Sequence, residues 1–246
     1  MERVLHSWYS PNLGKEMPIV IYGDYGPGLL MFPSAAADYL EYERFHLIES
    51  IKHHVEAGKV KGFSINSINS ESWLNDNMSG REKAVRHQQY NKYIVEEVVP
   101  YIKEQMGGND NPEIWTTGVS FGALHGMNTL LRNPDLFTGT LALSGVYDLK
   151  AYSKDYFDED VYFNSPMDYI PNLTDEGILA KLREKKILLY TGSGNYEDPS
   201  ASWKMAEVLG NKGIPNYVEC WDQNWPHDWP TWRKMLPEAI EKYMIG

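Results

Sequence analysis

Short apolar runs that alternate with longer helical patterns restrict the fold of this chain more than any other feature of its sequence. Runs with the length and composition of buried strands lie at 3–9, 17–22, 28–32, 60–66, 114–117, 140–144, 186–191 and 216–221. The first two flank a Pro-Asn-Leu-Gly turn and predict an antiparallel hairpin, whereas helical patterns separate the later ones. Because parallel strands need a crossover between them, usually a helix, the sequence predicts an α/β fold. We expect a mostly parallel eight-stranded sheet with helices on both faces.

Two segments, 39–56 and 79–105, carry long helical patterns, with Pro100 as a predicted kink in the second. No repeat, low-complexity tract or shift in composition marks a second domain in the sequence. We therefore expect one α/β domain over residues 1–246, without a large separate cap. Segment 147–174 has weak periodicity and follows the strand at 140–144, so it predicts a pocket-lining excursion.

The charge balance excludes some classes of partner. The formal net charge is −11, and a nucleic-acid partner requires clustered positive charge. We expect no nucleic-acid and no membrane partner, since no apolar run is long enough to span a bilayer. The one cysteine, Cys220, cannot form an internal disulfide, which favours a cytoplasmic location. The sequence leaves a homo-oligomer open.

The pentapeptide Gly118-Val119-Ser120-Phe121-Gly122 has the pattern G-x-S-x-G and lies between a predicted strand and a predicted helix. In that context the pattern predicts a nucleophile elbow, a sharp turn that exposes the serine at the carboxyl edge of a sheet. The flanking glycines would allow the helix and strand backbones to approach closely. The alternative is a tight turn in which Ser120 only caps the following helix.

An activated serine needs a base and an acid that orients the base. His227 follows both the serine and a candidate acid in the chain, in a turn after the last predicted strand; the alternative is a surface-loop histidine. The acid is expected after strand 186–191, where Glu197 and Asp198 precede a proline. Neighbouring side chains in extended backbone point to opposite sides, so only one can face the imidazole. We favour Asp198 over Glu197, although the pair could also stabilise the start of a helix.

The oxyanion formed during acyl transfer needs two backbone donors. We expect one from Phe121, directly after the serine, and the other from Ala35 or Ala36 in the loop after the third strand. A plain structural loop is the alternative there. Trp73, after the fourth strand, and Trp225, close to His227, are candidate walls of a substrate pocket.

Several motifs together resemble the putative-esterase family of α/β hydrolases, which includes esterase D (S-formylglutathione hydrolase), enterochelin esterase, feruloyl esterases and bacterial mycolyltransferases. They are Gly118 to Gly122, Leu143-Ser144-Gly145 with Tyr147-Asp148, Thr191-Gly192 through Glu197-Asp198-Pro199, and His227-Asp228-Trp229 with Trp232-Arg233. The resemblance covers nearly the whole chain and implies the α/β-hydrolase fold. It assigns the triad roles to Ser120, to Asp198 or Glu197, and to His227.

Residues and resemblance together predict a serine carboxylic-ester hydrolase that acts on small-molecule esters through an acyl-enzyme, without a metal or cofactor. Two alternatives stay open. An acyltransferase would use the same residues but prefer an acceptor alcohol to water. A non-catalytic binding protein on the same fold would not turn over short p-nitrophenyl esters.

Overall fold

One sheet forms the centre of the molecule, in a computed structural model that describes residues 1–245. Its strands are β1 Arg3–Ser10, β2 Lys15–Tyr22, β3 Gly28–Phe32, β4 Lys61–Ile65, β5 Ile114–Val119, β6 Gly139–Leu143, β7 Lys186–Thr191 and β8 Tyr217–Cys220. They pair in the order β1-β2-β4-β3-β5-β6-β7-β8. All eight predicted strands are confirmed, with ends that shift by at most two residues.

The pairing is mostly parallel, as predicted. Strand β2 runs antiparallel to both β1 and β4, and the remaining pairings from β4 to β8 are parallel. Parallel strands bring their carboxyl ends to one edge of the sheet, and the register aligns Val119 with Leu143 and Leu143 with Tyr190. The segments that follow β5, β6 and β7 therefore begin side by side.

Helices follow from the amphipathic segments between the strands. They are α1 Glu41–Arg44, α2 Leu47–Glu56, α3 Gly80–Tyr93, α4 Val99–Gln105, α5 Phe121–Arg132, α6 Glu159–Tyr162, α7 Pro166–Tyr169, α8 Glu176–Leu182, α9 Pro199–Asn211 and α10 Trp229–Ala239. Short 3₁₀ turns lie at Asn69–Glu71 and Ile170–Asn172, and π-helical turns at Ile94–Val98 and Ile240–Ile245.

The helices cover both faces of the sheet and bury a separate apolar core on each. Buried side chains of α3, α4, α5, α8 and α9 pack on one face, and those of α1, α2 and α10 pack on the other. Strands β3 to β6 are buried along their whole length, as expected for strands covered on both sides.

Two predicted helices are interrupted. The single helix expected over 39–56 is wrong, because His46 adopts a left-handed φ of 61° and separates α1 from α2. In 79–105 the irregularity predicted at Pro100 begins earlier, in the π-helical turn Ile94–Val98. Proline has no N–H for the carbonyl four residues before it, so the normal hydrogen-bond ladder cannot continue unbroken there.

Segment 147–174 contains α6, α7 and a 3₁₀ turn, and it packs against α3, α5 and α9. Its first part reaches the residue after the serine, since the rings of Tyr152 and Phe121 meet edge to face at 5.0 Å. Lys83 of α3 holds this part in place by donating to the carbonyl of Tyr152 at 3.2 Å.

Candidate active site

The G-x-S-x-G pentapeptide forms a sharp turn between β5 and α5. Ser120 lies in this turn with φ 55° and ψ −120°, a conformation that is costly for a residue with a side chain. A Cβ on Gly118 would lie 2.2 Å from the carbonyl carbon of Gly122, and one on Gly122 would lie 2.3 Å from the carbonyl oxygen of Phe32. Glycine is therefore required at both positions for helix, strand and neighbouring loop to meet.

The serine hydroxyl is directed to a histidine instead of capping the helix. Ser120 Oγ lies 3.0 Å from Nε2 of His227, and α5 begins without a capping bond from that hydroxyl. Nδ1 of His227 lies 3.2 Å from Oε2 of Glu197. The alcohol, the imidazole and the carboxylate thus form a continuous hydrogen-bonded line, the arrangement in which imidazole can accept the serine proton.

Two loops deliver the carboxylate and the imidazole together. The amide of His227 donates to the carbonyl of Asn195 at 2.9 Å, and the amide of Gly194 donates to the carbonyl of Trp225 at 3.0 Å. A Cβ on Gly192 would lie 2.0 Å from that same carbonyl oxygen. The loop after β7 and the loop after β8 therefore touch through their backbones, which small residues at 192 and 194 permit.

The carboxylate that reaches the imidazole is Glu197, and the preference for Asp198 is wrong. Asp198 instead occupies the N-cap of α9, where its Oδ1 accepts from the amide of Ser200 at 3.1 Å and from its hydroxyl at 2.5 Å. Pro199 begins the helix directly after it, which fixes Asp198 in the capping position. The sequence alternative, in which one acid starts the helix and the other faces His227, is the observed arrangement.

Glu197 is almost fully enclosed, with 1% of its side chain exposed, whereas the His227 side chain is 25% exposed. A buried carboxylate must be hydrogen-bonded to remain charged. Oε1 accepts from the hydroxyl of Ser144 at 2.5 Å and from the amide of Gly192 at 3.2 Å. The hydroxyl of Thr191 approaches Oε2 at 3.4 Å.

Ser144 and Trp232 belong to this site, although sequence reasoning gave them no role. Nε1 of Trp232 donates to the Ser144 hydroxyl at 2.9 Å, and the Trp232 ring meets the His227 ring edge to face at 5.0 Å. Both residues lie in motifs that carried the family resemblance. A serine directly after the strand beside the elbow strand was the signal that could have identified Ser144.

The loop after β3 lies against the elbow. Tyr42 is buried and its hydroxyl donates to the carbonyl of Phe32 while accepting from the amide of Val119 at 3.2 Å. The amide and hydroxyl of Ser34 donate to the carboxylate of Glu41, and burial raises the pKa of that carboxyl group. These contacts fix the loop that carries the two alanines.

Ala35 packs against the cluster that contains Phe121, whereas Ala36 is exposed. Because the Ser34 amide is already bonded to Glu41, Ala35 and Ala36 remain the candidate donors of this loop. Phe121 is the first residue of α5, so its amide has no acceptor within the helix. The assignment of these amides as oxyanion donors stays a prediction.

The structure contradicts one of the two candidate pocket walls, Trp73. Trp73 is 1% exposed, and its indole donates to Nδ1 of His87 at 2.8 Å; it fills a buried cluster instead of facing a substrate. Trp225 lines a cavity of about 470 Å³. Among residues 1–245 the other lining residues are Trp221, Asp222, Lys234 and Glu238, a set without Ser120 or His227. A role for Trp225 as a wall of the substrate pocket stays a prediction.

Two further histidines are buried near the elbow, His125 on α5 and His87 on α3. Nε2 of His125 lies 2.7 Å from Oδ1 of Asn69, and its ring meets that of His87 edge to face at 4.8 Å. Burial lowers the pKa of His125 to about 3 and that of His87 well below its ordinary value. Both side chains are packed core residues whose rings are neutral near pH 7.

Neither a metal site nor a membrane span is found in the part of the chain that the structure describes. Within residues 1–245, no three His, Cys, Asp or Glu side chains are grouped so that they could hold a metal ion. No helix in that part of the chain combines the length and apolar character needed to cross a membrane.

Comparison with known proteins places the chain among esterases. A family described as "Putative esterase" matches residues 54–243. Among solved structures, a ferulic acid esterase has a TM-score of 0.76 at 18% identity, covering 97% of this chain and 96% of that one. An S-formylglutathione hydrolase from Agrobacterium tumefaciens has a TM-score of 0.74 at 14% identity, covering 99% and 94%.

Serine hydrolase F of Staphylococcus aureus, described as fluorophosphonate-binding, has a TM-score of 0.70 at 16% identity and covers 100% of this chain and 98% of that one. No curated protein sequence matches the chain. Identities this low show a common fold, and together with the family match they confirm the predicted α/β-hydrolase fold.

Proposed function

Because the chain belongs to the "Putative esterase" family and is a carboxylesterase-like serine hydrolase, we propose that it cleaves carboxylic esters through an acyl-enzyme on Ser120. The observation that carries the proposal is the line from Ser120 Oγ to His227 Nε2 at 3.0 Å and from His227 Nδ1 to Glu197 Oε2 at 3.2 Å. These three residues are the proposed triad, with Glu197 in the role first expected of Asp198.

In the first half-reaction Ser120 Oγ bonds to the ester carbonyl carbon as its proton moves to Nε2 of His227. The Glu197 carboxylate holds the other ring proton on Nδ1 and stabilises the imidazolium. Collapse of the tetrahedral intermediate breaks the bond to the alcohol oxygen, which takes the proton from Nε2. Water then repeats the sequence on the acyl-enzyme and releases the acid.

Negative charge on the former carbonyl oxygen needs donors that are already in place. We assign this role to the amides of Phe121 and Ala35. The Phe121 amide also lies at the positive end of the α5 dipole. The buried contacts of Tyr42 and Glu41 support the assignment, because they hold the loop after β3 against the elbow.

The substrate class is a small-molecule ester, in keeping with the esterase family. Tyr152 contacts Phe121, which supports a role for segment 147–174 at the border of the substrate site. Acetyl, butyryl and feruloyl esters and a thioester form a suitable substrate panel, because the structural neighbours include a ferulic acid esterase and an S-formylglutathione hydrolase.

A fluorophosphonate probe tests the nucleophile directly. The probe should label the native protein once, at Ser120, and the Ser120→Ala variant should neither react with it nor hydrolyse p-nitrophenyl acetate. Ser193→Ala is a matched control, since Ser193 is an exposed serine in a neighbouring loop whose hydroxyl donates to the carbonyl of Trp221. This control should react as the native protein does.

Peptide mapping by mass spectrometry identifies the labelled residue. Native protein that stays unlabelled, or labelling that survives in Ser120→Ala, would contradict the proposed mechanism. Native protein that hydrolyses none of the panel would point to the binding-protein alternative.

A further inference from the structure

Ser144 lies just after the end of β6, the strand between β5, which precedes the proposed nucleophile, and β7, which precedes the proposed acid. The carbonyl of Leu143, the last residue of β6, accepts a hydrogen bond from the amide of Ser120 at 2.9 Å. The amide of Ser144 donates to the carbonyl of Tyr190 at 2.7 Å. Ser144 has a φ of 48°, in the left-handed region that residues with a side chain avoid. A strained conformation persists only where the surroundings fix it, and such residues concentrate at functional sites.

The chemistry of its two partners fixes which hydrogen bond the Ser144 hydroxyl accepts and which it donates. An indole N–H is a donor only, so the Ser144 oxygen accepts from Trp232. An ionised carboxylate is an acceptor only, so the Ser144 hydroxyl hydrogen goes to Oε1 of Glu197. The other oxygen of that carboxylate then accepts from Nδ1 of His227, which leaves Nε2 free to accept the proton of Ser120.

We propose that Ser144 is a positioning residue, whose hydroxyl holds the Glu197 carboxylate in the orientation that His227 requires. The inference rests on the proposed function. A glutamate side chain has one more rotatable bond than an aspartate and loses more freedom when it is fixed. The Ser144 hydroxyl makes the shortest contact to this carboxylate, 2.5 Å compared with 3.2 Å for the Gly192 amide and 3.4 Å for the Thr191 hydroxyl.

Two variants distinguish the effect of losing the hydroxyl from the effect of relieving the backbone strain at Ser144. Ser144→Ala and Ser144→Gly both remove the hydroxyl, but glycine adopts a positive φ without strain. Ser144→Gly should therefore have the higher Tm of the two. In both variants kcat should fall by about 10-fold to 100-fold, the effect expected when one hydrogen bond to a charged group is lost. The KM for p-nitrophenyl acetate should change by less than about threefold.

The pH profile of kcat/KM provides a readout that lost stability alone would not move. The Ser144 hydroxyl and the imidazolium of His227 both interact favourably with the negative charge of Glu197, so each weakens the effect of the other. Without the hydroxyl the Glu197–His227 pair takes up a proton more easily. The fall of kcat/KM on the acid side of the profile, the acid limb, should therefore move to higher pH by roughly 0.5 to 1 unit.

The carboxylates of Asp198 and Asp228, next to Glu197 and His227 in the chain, are engaged as the N-caps of α9 and α10. Two further titratable groups interact with Glu197. They are Tyr147 and Cys220, and burial raises the pKa of both side chains above their ordinary values. Both remain neutral through the acid range.

Thr116→Val is the matched control, since it removes a buried hydroxyl that bonds the carbonyl of Gly126 at 3.0 Å within the same core. It should keep the native kcat and the native acid limb. The inference is overturned if both Ser144 variants keep native kcat and pH profile, if only Ser144→Ala loses activity, or if Thr116→Val shifts the limb equally. Native protein that neither hydrolyses esters nor reacts with the phosphonate would instead overturn the proposed function on which the inference rests.

Discussion

Replacing Glu197 by glutamine should remove most activity, while replacing the adjacent Asp198 should not. Glutamine has the volume of glutamate, but its amide is a donor on one side. The Gly192 amide at Oε1 can only donate, so the glutamine oxygen should occupy that side and its NH₂ should face His227. Nδ1 must then accept, which moves the ring proton to Nε2 and leaves Ser120 without a base.

The expected loss in kcat is about 10³-fold to 10⁴-fold, or roughly 4 to 5.5 kcal/mol of transition-state stabilisation, as for a serine protease whose triad aspartate becomes asparagine. Asp198→Ala removes the N-cap of α9 and the two bonds to Ser200. A lost cap costs about 1 kcal/mol, which lowers Tm by roughly 2 to 4 °C in a chain of this size. Its kcat/KM should stay within about twofold of native.

Steady-state hydrolysis of p-nitrophenyl acetate gives kcat and KM for both variants, and thermal melts give their stability. Glu197→Gln should melt close to the native protein, so that its loss of activity is not a loss of folded material. The reasoning is refuted if Glu197→Gln retains more than a tenth of native kcat, or if Asp198→Ala is the variant that loses activity.

Three further outcomes test the packing around the site. In the native protein the pKa of the buried His125 ring is lowered to about 3, so below about pH 6.5 the unfolded chain binds a proton that the folded chain does not, and the free energy of unfolding falls by up to about 1.4 kcal/mol per pH unit. His125→Gln removes this contribution. The variant should therefore lose less stability than the native protein between pH 7 and pH 5, measured as urea midpoints. An equal acid loss in variant and native protein would contradict this. Gly122→Ala should prevent folding or cost more than about 3 kcal/mol in urea denaturation, because its Cβ meets backbone at 2.3 Å. Gly210→Ala is the control, at an exposed helical site with nothing within 4 Å of the added Cβ, and it should stabilise the protein by about 0.5 to 1 kcal/mol. If Gly122→Ala were the more stable of the two variants, the argument that the backbones at Gly122 meet too closely for a side chain would be wrong. Tyr42→Phe should cost about 1 to 3 kcal/mol by leaving a buried amide of β5 without an acceptor, and an unchanged urea midpoint would show that the amide finds another partner.

The sheet could be predicted from the sequence because each strand is bounded by its own local signals. Strands β3 and β7 begin and end where the apolar runs do, since burial of both faces demands an unbroken apolar stretch. The break at His46 could not be predicted, because a histidine with φ 61° carries no turn signal of its own. Tertiary packing of α1 and α2 overrides the helical pattern there.

The order of serine, acid and histidine along the chain followed from the residues, but the choice between the two adjacent acids did not. Tyr196 adopts a φ of 65° just before them, so the chain turns there instead of continuing as the extended backbone that the alternation argument assumed. Pro199 begins α9 and makes Asp198 its N-cap. The positioning of the carboxylate by Ser144 depends on contacts between three strand ends, which no local pattern encodes.

The loops after β7 and β8 meet through main-chain atoms, at Gly192, Gly194 and the Trp225 carbonyl. Loop length is therefore constrained, while most side-chain identities are not. Tyr196, next to the acid, has 93% of its surface exposed. Exposed side chains of these two loops can therefore be exchanged without disturbing the main-chain contacts that hold the acid-bearing loop and the histidine-bearing loop together.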